Sequence, residues 1–216
     1  MRRAPAAVRL LLAIATALVV ALTGPLALFN PPFVLALQDR HAVDASFAAS
    51  PAQVEGVTLS FLGDIYLAGR FEASLEQGGE PLLDATERSH MQDVSRLVRL
   101  LLLVDVAALV VALVTGWLLR GEARRIGASL LGGAAIVGGV AVAVAVAFAV
   151  AFEPTFLAFH AVFFPPDTYL FPPNSRLIAL FPEPFWYDAA LAAGIAIVAS
   201  ATVVSLAGWR LMRRLP

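Results

Sequence analysis

Four long apolar runs, at about residues 10–29, 100–119, 126–152 and 189–211, limit what this chain can fold into more than anything else in its sequence. Crossing a hydrocarbon core of about 30 Å takes about 20 helical residues, and each run meets that length. The third run alternates Val and Ala, which imitates the period of a strand. Both residue types are apolar, however, and the run is far too long for a strand, so its length assigns it to a helix. Its glycines Gly127, Gly132, Gly133, Gly138 and Gly139 read as contact points, because small residues let helix backbones approach closely in lipid. The composition agrees: 60% of the 216 residues are hydrophobic and 14% charged, against roughly 45–50% and about 25% in soluble domains. The expected fold is an all-α membrane protein, a single integral membrane domain over residues 1–216. Its four transmembrane helices carry a small extracytoplasmic α+β cap formed by residues 30–99 and 153–188.

The arginines give the spans a direction, since short positively charged segments stay in the cytoplasm. Arg2, Arg3 and Arg9 precede the first run, Arg120, Arg124 and Arg125 lie between the second and third, and Arg210, Arg213 and Arg214 follow the fourth. The two remaining segments hold every acid except Asp105 and Glu122. Both termini are therefore expected in the cytoplasm of a multi-pass cell-membrane protein. The first run has an alternative reading as a cleaved signal peptide, because Met1-Arg2-Arg3 resembles a signal n-region. The run is longer than a usual signal core and no clear Ala-x-Ala site follows, so it reads as a retained helix.

In the first cap segment, Ser50-Pro51 marks a helix start, with Val54, Val57, Phe61, Leu62 and Ile65 at helical spacing. After Gly69, the alternation of Phe71, Ala73 and Leu75, a Gln77-Gly78-Gly79-Glu80 turn and Leu82-Leu83 suggest two short strands. Asp84-x-x-Glu87 reads as a capping box, opening a helix that runs without a breaker into the second span. The second cap segment is rich in proline and aromatics.

Cysteine is absent and all 15 basic residues are arginine, which excludes disulfides, thiolate chemistry and lysine Schiff bases. A formal net charge of -1 gives no reason to expect a nucleic-acid partner. The three histidines, His41, His90 and His160, all fall in cap segments. His90 has Asp93 three positions on, close enough on a helix face to accept one ring N–H and orient the other nitrogen for acid–base work. The plainer alternative is a solvated His–Asp pair. His160 lies among Phe156, Phe159, Phe163 and Phe164, where an ionisable group carries a desolvation cost. Its plainer alternative is an interfacial histidine in an aromatic belt. His41, in a polar stretch, reads as solvated. No pair of histidines has helical metal-ligand spacing, and no phosphate loop or cofactor motif is present, so no metal or cofactor is expected.

Ser89-His90-Met91-Gln92-Asp93-Val94 leading into the second span, Phe159-His160-Ala161-Val162-Phe163-Phe164 after the third, and Leu177-Ile178-Ala179-Leu180-Phe181-Pro182-Glu183-Pro184-Phe185-Trp186 before the fourth resemble the bacterial lipoprotein intramolecular transacylases, the Lit-type membrane proteins. Tyr169 stands where members of this family often have tryptophan, and Asn174 where an acid is common. The resemblance implies an acyltransferase whose substrates are diacylated lipoproteins embedded in membrane lipid. The sn-2 acyl chain of the diacylglyceryl group moves to the α-amino group of the lipoprotein's N-terminal cysteine, leaving a lyso-form. His90 and His160 would then be catalytic and Asp93 supporting. Phe159, Phe163, Phe164, Tyr169 and Trp186 would line the substrate at the extracytoplasmic face. A non-catalytic membrane accessory, or a small-solute transporter using Asp105 and the glycine-rich third span, are the competing classes. A close His90–His160 pair would favour the enzyme.

Overall fold

The computed structural model describes residues 5–67 and 69–213. Arg2, Arg3 and Arg214, which carry part of the orientation argument, lie outside the described residues. Among those described, every regular element is helical: α1 Ala6–Ala27, α2 Pro31–Arg40, α3 Pro51–Tyr66, α4 Ala85–Leu118, α5 Ala123–Val150, α6 Phe152–Phe163, α7 Arg176–Leu180 and α8 Glu183–Arg213. A 3-10 turn, Val43–Ser46, lies between α2 and α3. The helices α1, α4, α5 and α8 are long and apolar enough to cross a membrane and contain the four expected runs, so the chain is a multi-pass membrane protein. At 34 residues α4 is longer than a span requires; its polar first turns, with His90, precede the apolar run that starts at Leu100.

Two compact units are present. One holds α1, Leu101–Val146 of α4 and α5, and α8 from Ala192 onward. Its helices meet through small residues. A Cβ at Gly133 would overlap the Ala13 carbonyl of α1, and one at Gly127 the Gly208 carbonyl of α8. Val20, Ala134 and Ala201, from α1, α5 and α8, form its buried centre. Asp105 is not left to line a path by itself: both its oxygens accept from the Thr23 hydroxyl of α1, at 3.0 and 3.1 Å.

The other unit comprises Leu28–Leu100 and Ala147–Leu191. Helix α3 begins at the expected Ser50, whose side chain and that of Gln53 form a capping box. Its periodic residues Val54, Val57, Phe61, Leu62 and Ile65 are all buried. Gln38 of α2, itself buried, donates to the Leu180 carbonyl of α7 and accepts from Thr58 of α3, so three helices share one satisfied amide.

The expected α+β cap is not found, because no strand forms among the described residues. Residues 69–84 do reverse at Gly78, φ +75°, and one backbone bond joins Leu82 N–H to the Ala73 carbonyl at 2.9 Å. A ladder fails to follow because Phe71 has φ 56° and its N–H is taken by the Asp64 carboxylate at 2.7 Å. Phe71 and Leu83 are 0% and 1% exposed, and Phe71 packs edge-on against Phe61 at 5.7 Å. Burial of side chains rather than pairing of backbones therefore organises this segment.

The two kinds of glycine in α5 should respond differently to a larger residue. Gly133→Val, forced against the Ala13 backbone, should destabilise by about 1–3 kcal/mol, as overpacking does. Gly132→Val, with nothing within 4 Å of its Cβ, should be tolerated. Thermal unfolding in detergent compares the two.

Candidate active site

The fold brings His90 of α4 and His160 of α6 together, their rings stacked with centroids 6.0 Å apart and planes 25° from parallel. His90 is 6% exposed, an imidazole set inside the protein rather than on an amphipathic surface. Phe164 touches both rings, at 5.0 Å from His90 and 5.5 Å from His160. Phe171 packs edge-on to His90 at 5.5 Å. Phe156 lies 4.3 Å, Tyr169 5.2 Å and Phe159 5.6 Å from His160.

The His160 ring is oriented by its own helix, since Nδ1 lies 2.8 Å from the Phe156 carbonyl oxygen. A carbonyl only accepts, so Nδ1 carries the proton and the neutral ring keeps Nε2 bare. The Nδ1 atom of His90 is buried without a hydrogen-bond partner among the described residues. Asp93 does not orient it: that carboxylate is turned to Arg96 at 2.5 Å and acts on His90 only through its field. At this helical position the guanidinium, also three residues away from Asp93, wins the carboxylate.

Burial pushes the His90 imidazole from the ordinary 6.5 down to about 4, with the neighbouring His160 adding to the effect and Asp93 opposing it. His160 is also lowered, by burial, against the opposing pull of the Phe156 carbonyl. Both groups precede or lie outside the apolar runs, and both are neutral at pH 7. At pH 7 the pair therefore presents two neutral imidazoles, each able to accept or donate a proton, rather than two imidazolium charges.

The family model described as lipoprotein intramolecular transacylase Lit matches residues 9–186. The chain belongs to this family. Among solved structures, the membrane-integral lipoprotein intramolecular transacylase Lit from Bacillus cereus matches with a TM-score of 0.83 at 18% identity, over 96% of this chain and 95% of that one. Two histidine-substituted forms of that protein, one with arginine and one with alanine, match at 17% identity with TM-scores of 0.76 and 0.77. They cover 96% of this chain and 92% and 93% of their own. No curated protein matches significantly. Membership in the Lit family makes the chain one of an acyltransferase family.

Of the residues expected to line the substrate in this Lit-family chain, Phe159, Phe164 and Tyr169 reach the histidines. Phe163 instead packs at a tilt against Phe159 at 4.9 Å, and Trp186 is one ring removed, 6.1 Å from Phe156. Phe156 and Phe171, further aromatics of the second cap segment, touch the pair as well. His41 is not simply solvated, since its Nε2 lies 2.9 Å from the half-buried Asp188, which also pairs with Arg40 at 3.3 Å. Glu87 was visible only as half of a capping box. It also reaches Ser175 and Leu177 of the second cap segment, a link that local spacing cannot reveal. Among the described residues no group of three or more His, Asp or Glu side chains is placed to hold a metal.

Neutral burial of His90 makes stability depend on pH. The unfolded chain binds a proton near 6.5 and the folded chain near 4, so the contribution is intact above pH 6.5 and is lost as pH falls through that window. The melting temperature of the wild-type protein minus that of His90→Gln, measured in detergent, should decline from pH 6.5 toward 4 and stay level above it. A level difference throughout would contradict the neutral burial of His90.

Proposed function

We propose that this chain is a lipoprotein intramolecular transacylase that moves the sn-2 acyl chain of the diacylglyceryl group onto the α-amino group of the same lipoprotein's N-terminal cysteine. The close, neutral His90–His160 pair in its aromatic enclosure is the observation that carries the reading. The amine attacks the ester carbonyl, forming the C–N bond. His160 Nε2 takes the proton leaving the nitrogen, consistent with Nδ1 being committed to the Phe156 carbonyl. His90 donates a hydrogen bond to the developing oxyanion through an N–H of its neutral ring. The C–O bond to the glyceryl oxygen then breaks, and that oxygen leaves with the proton, giving the N-acylated lyso-form.

The absence of cysteine and lysine fits this reaction, because the substrate brings its own nucleophile. Holding amine and ester in one confined molecule is the larger share of catalysis, worth up to about 7–11 kcal/mol in ideal intramolecular cases. The aromatic side chains around the pair, Phe159, Phe164 and Tyr169 among them, favour that confinement, with Phe163 and Trp186 extending the apolar wall outward. The distribution of arginines supports cytoplasmic termini and an extracytoplasmic site, with the whole chain acting as one integral membrane domain.

His90→Ala and His160→Ala should each lower the yield of lyso-lipoprotein by about 10²–10⁴-fold, the usual contribution of a positioned acid or base. The assay is mass spectrometry of lipoprotein N-termini in a bacterium that lacks N-acylation of its own; wild-type activity in either variant would exclude the pairing. The pH profile separates the two titrating partners. A protonated amine does not attack and a protonated imidazole does not accept, so the rate rises with pH through both values. The imidazole is depressed below 6.5 and a free α-amine titrates near 7.7–8.0. The logarithm of the rate should therefore climb with slope one from pH 6.5 to about 7.7, without a second break at 6.5.

A further inference from the structure

A base that takes a proton from an attacking amine can also take one from an attacking water. Water is the weaker nucleophile but far the more abundant, so the outcome also depends on access to the ester carbonyl, and one segment beside the histidines bears on that access. Residues 164–175 form a strap across the histidine pair that is tied at both ends. At the first end, Phe164 donates its N–H to the His160 carbonyl at 2.8 Å and packs its ring on both imidazoles. At the other end, the Ser175 hydroxyl donates to Glu87 Oε1 at 2.5 Å, and Leu177 N–H donates to the same oxygen at 3.1 Å. Between these ends, Tyr169 lies on His160 and Phe171 on His90.

Glu87 is 2% exposed and sits three residues before His90 on α4. Its second oxygen accepts from the Asp84 N–H at 2.9 Å, so a single carboxylate satisfies the start of the helix bearing His90 and the start of α7. Ser175 is in turn the N-cap of α7, accepting from Ile178 N–H at 3.1 Å. The end of the strap is thus held in register with His90 by buried, charge-assisted hydrogen bonds, the stronger kind.

We propose that the Glu87–Ser175 latch is a product-specificity device: by seating Tyr169 and Phe171 on the histidines it keeps water from the ester, so that the lipoprotein's amine receives the acyl chain. This inference rests on the transacylase reading above. Glu87 and Ser175 are positioning residues that act through the strap and do not touch the substrate. With the latch released, water adds to the sn-2 carbonyl, the C–O bond to the glyceryl oxygen breaks and that oxygen takes the proton. The products are a free fatty acid and a lyso-lipoprotein whose α-amine is unmodified.

The test is the partition of products, which a merely structural loss of rate would not move. Purified full-length protein in detergent is given a synthetic diacylated lipopeptide, and mass spectrometry counts N-acylated lyso-product against free-amine lyso-product and fatty acid. Wild type should give almost entirely N-acylated product. Glu87→Gln, whose amide cannot accept from both helix starts at once, and Ser175→Ala should each raise the hydrolysed share several-fold. Ser175→Thr, which keeps the hydroxyl, should restore the wild-type partition. An unchanged partition in both disrupted variants, whatever their rates, would overturn the latch. Should Glu87→Gln fail to fold, Ser175→Ala and Ser175→Thr decide the matter alone. A wild-type protein that yields no N-acylated product would instead overturn the transacylase reading, before any variant is compared.

Discussion

A buried carboxylate is tolerable only when its lone pairs find donors, and the placement of Glu87 meets that requirement from three directions. Removing a single donor would leave part of a charge uncompensated at a site that is 2% exposed. The start of α4, the start of α7 and the end of the strap between α6 and α7 are therefore coupled through one carboxylate. His90 lies on the next turn of the same helix, so its orientation inherits the same constraint. The same anchoring holds the end of the segment whose Phe164, Tyr169 and Phe171 rings surround the histidines.

Much of the architecture could be read from the chain because lipid leaves few choices. Backbone groups in hydrocarbon must be satisfied within the segment, so a sufficiently long apolar run becomes a helix whatever its neighbours do. That is why the four spans and the unbroken α4 were visible in advance. Gly127 and Gly133 were legible for a related reason, since the two backbone approaches they permit are the ones lipid packing requires. The cap obeys other rules. Phe71, Ala73 and Leu75 alternate as a strand would, yet Phe71 and Leu83 are both buried and Phe71 has a left-handed backbone that no ladder admits.

The candidate site was legible in its two histidines and obscure in what surrounds them. His160 announced itself by standing in an aromatic run, an environment that charges avoid. The spacing of His90 and Asp93 pointed to a dyad, but Arg96 sits at the same interval on the other side of Asp93 and takes the carboxylate. Glu87 showed only its local partner, Asp84. Its bonds to Ser175 and Leu177 join positions nearly ninety residues apart, and no pattern within a helix carries that information.

The loss of the expected His–Asp dyad strengthens the chemical argument. A carboxylate bonded to His90 would stabilise the imidazolium and draw its titration upward. With Asp93 held by Arg96, burial prevails and the ring stays neutral down to about pH 4. Neutrality matters twice in a transfer to an amine. In the proposed reaction a neutral His160 is the acceptor for the proton that attack releases, and a neutral His90 beside it avoids repelling the positive charge that builds on the nitrogen before the proton moves. An enclosure of phenylalanine and tyrosine rings, which hydrogen-bonds to neither charged form, is a direct physical route to both conditions.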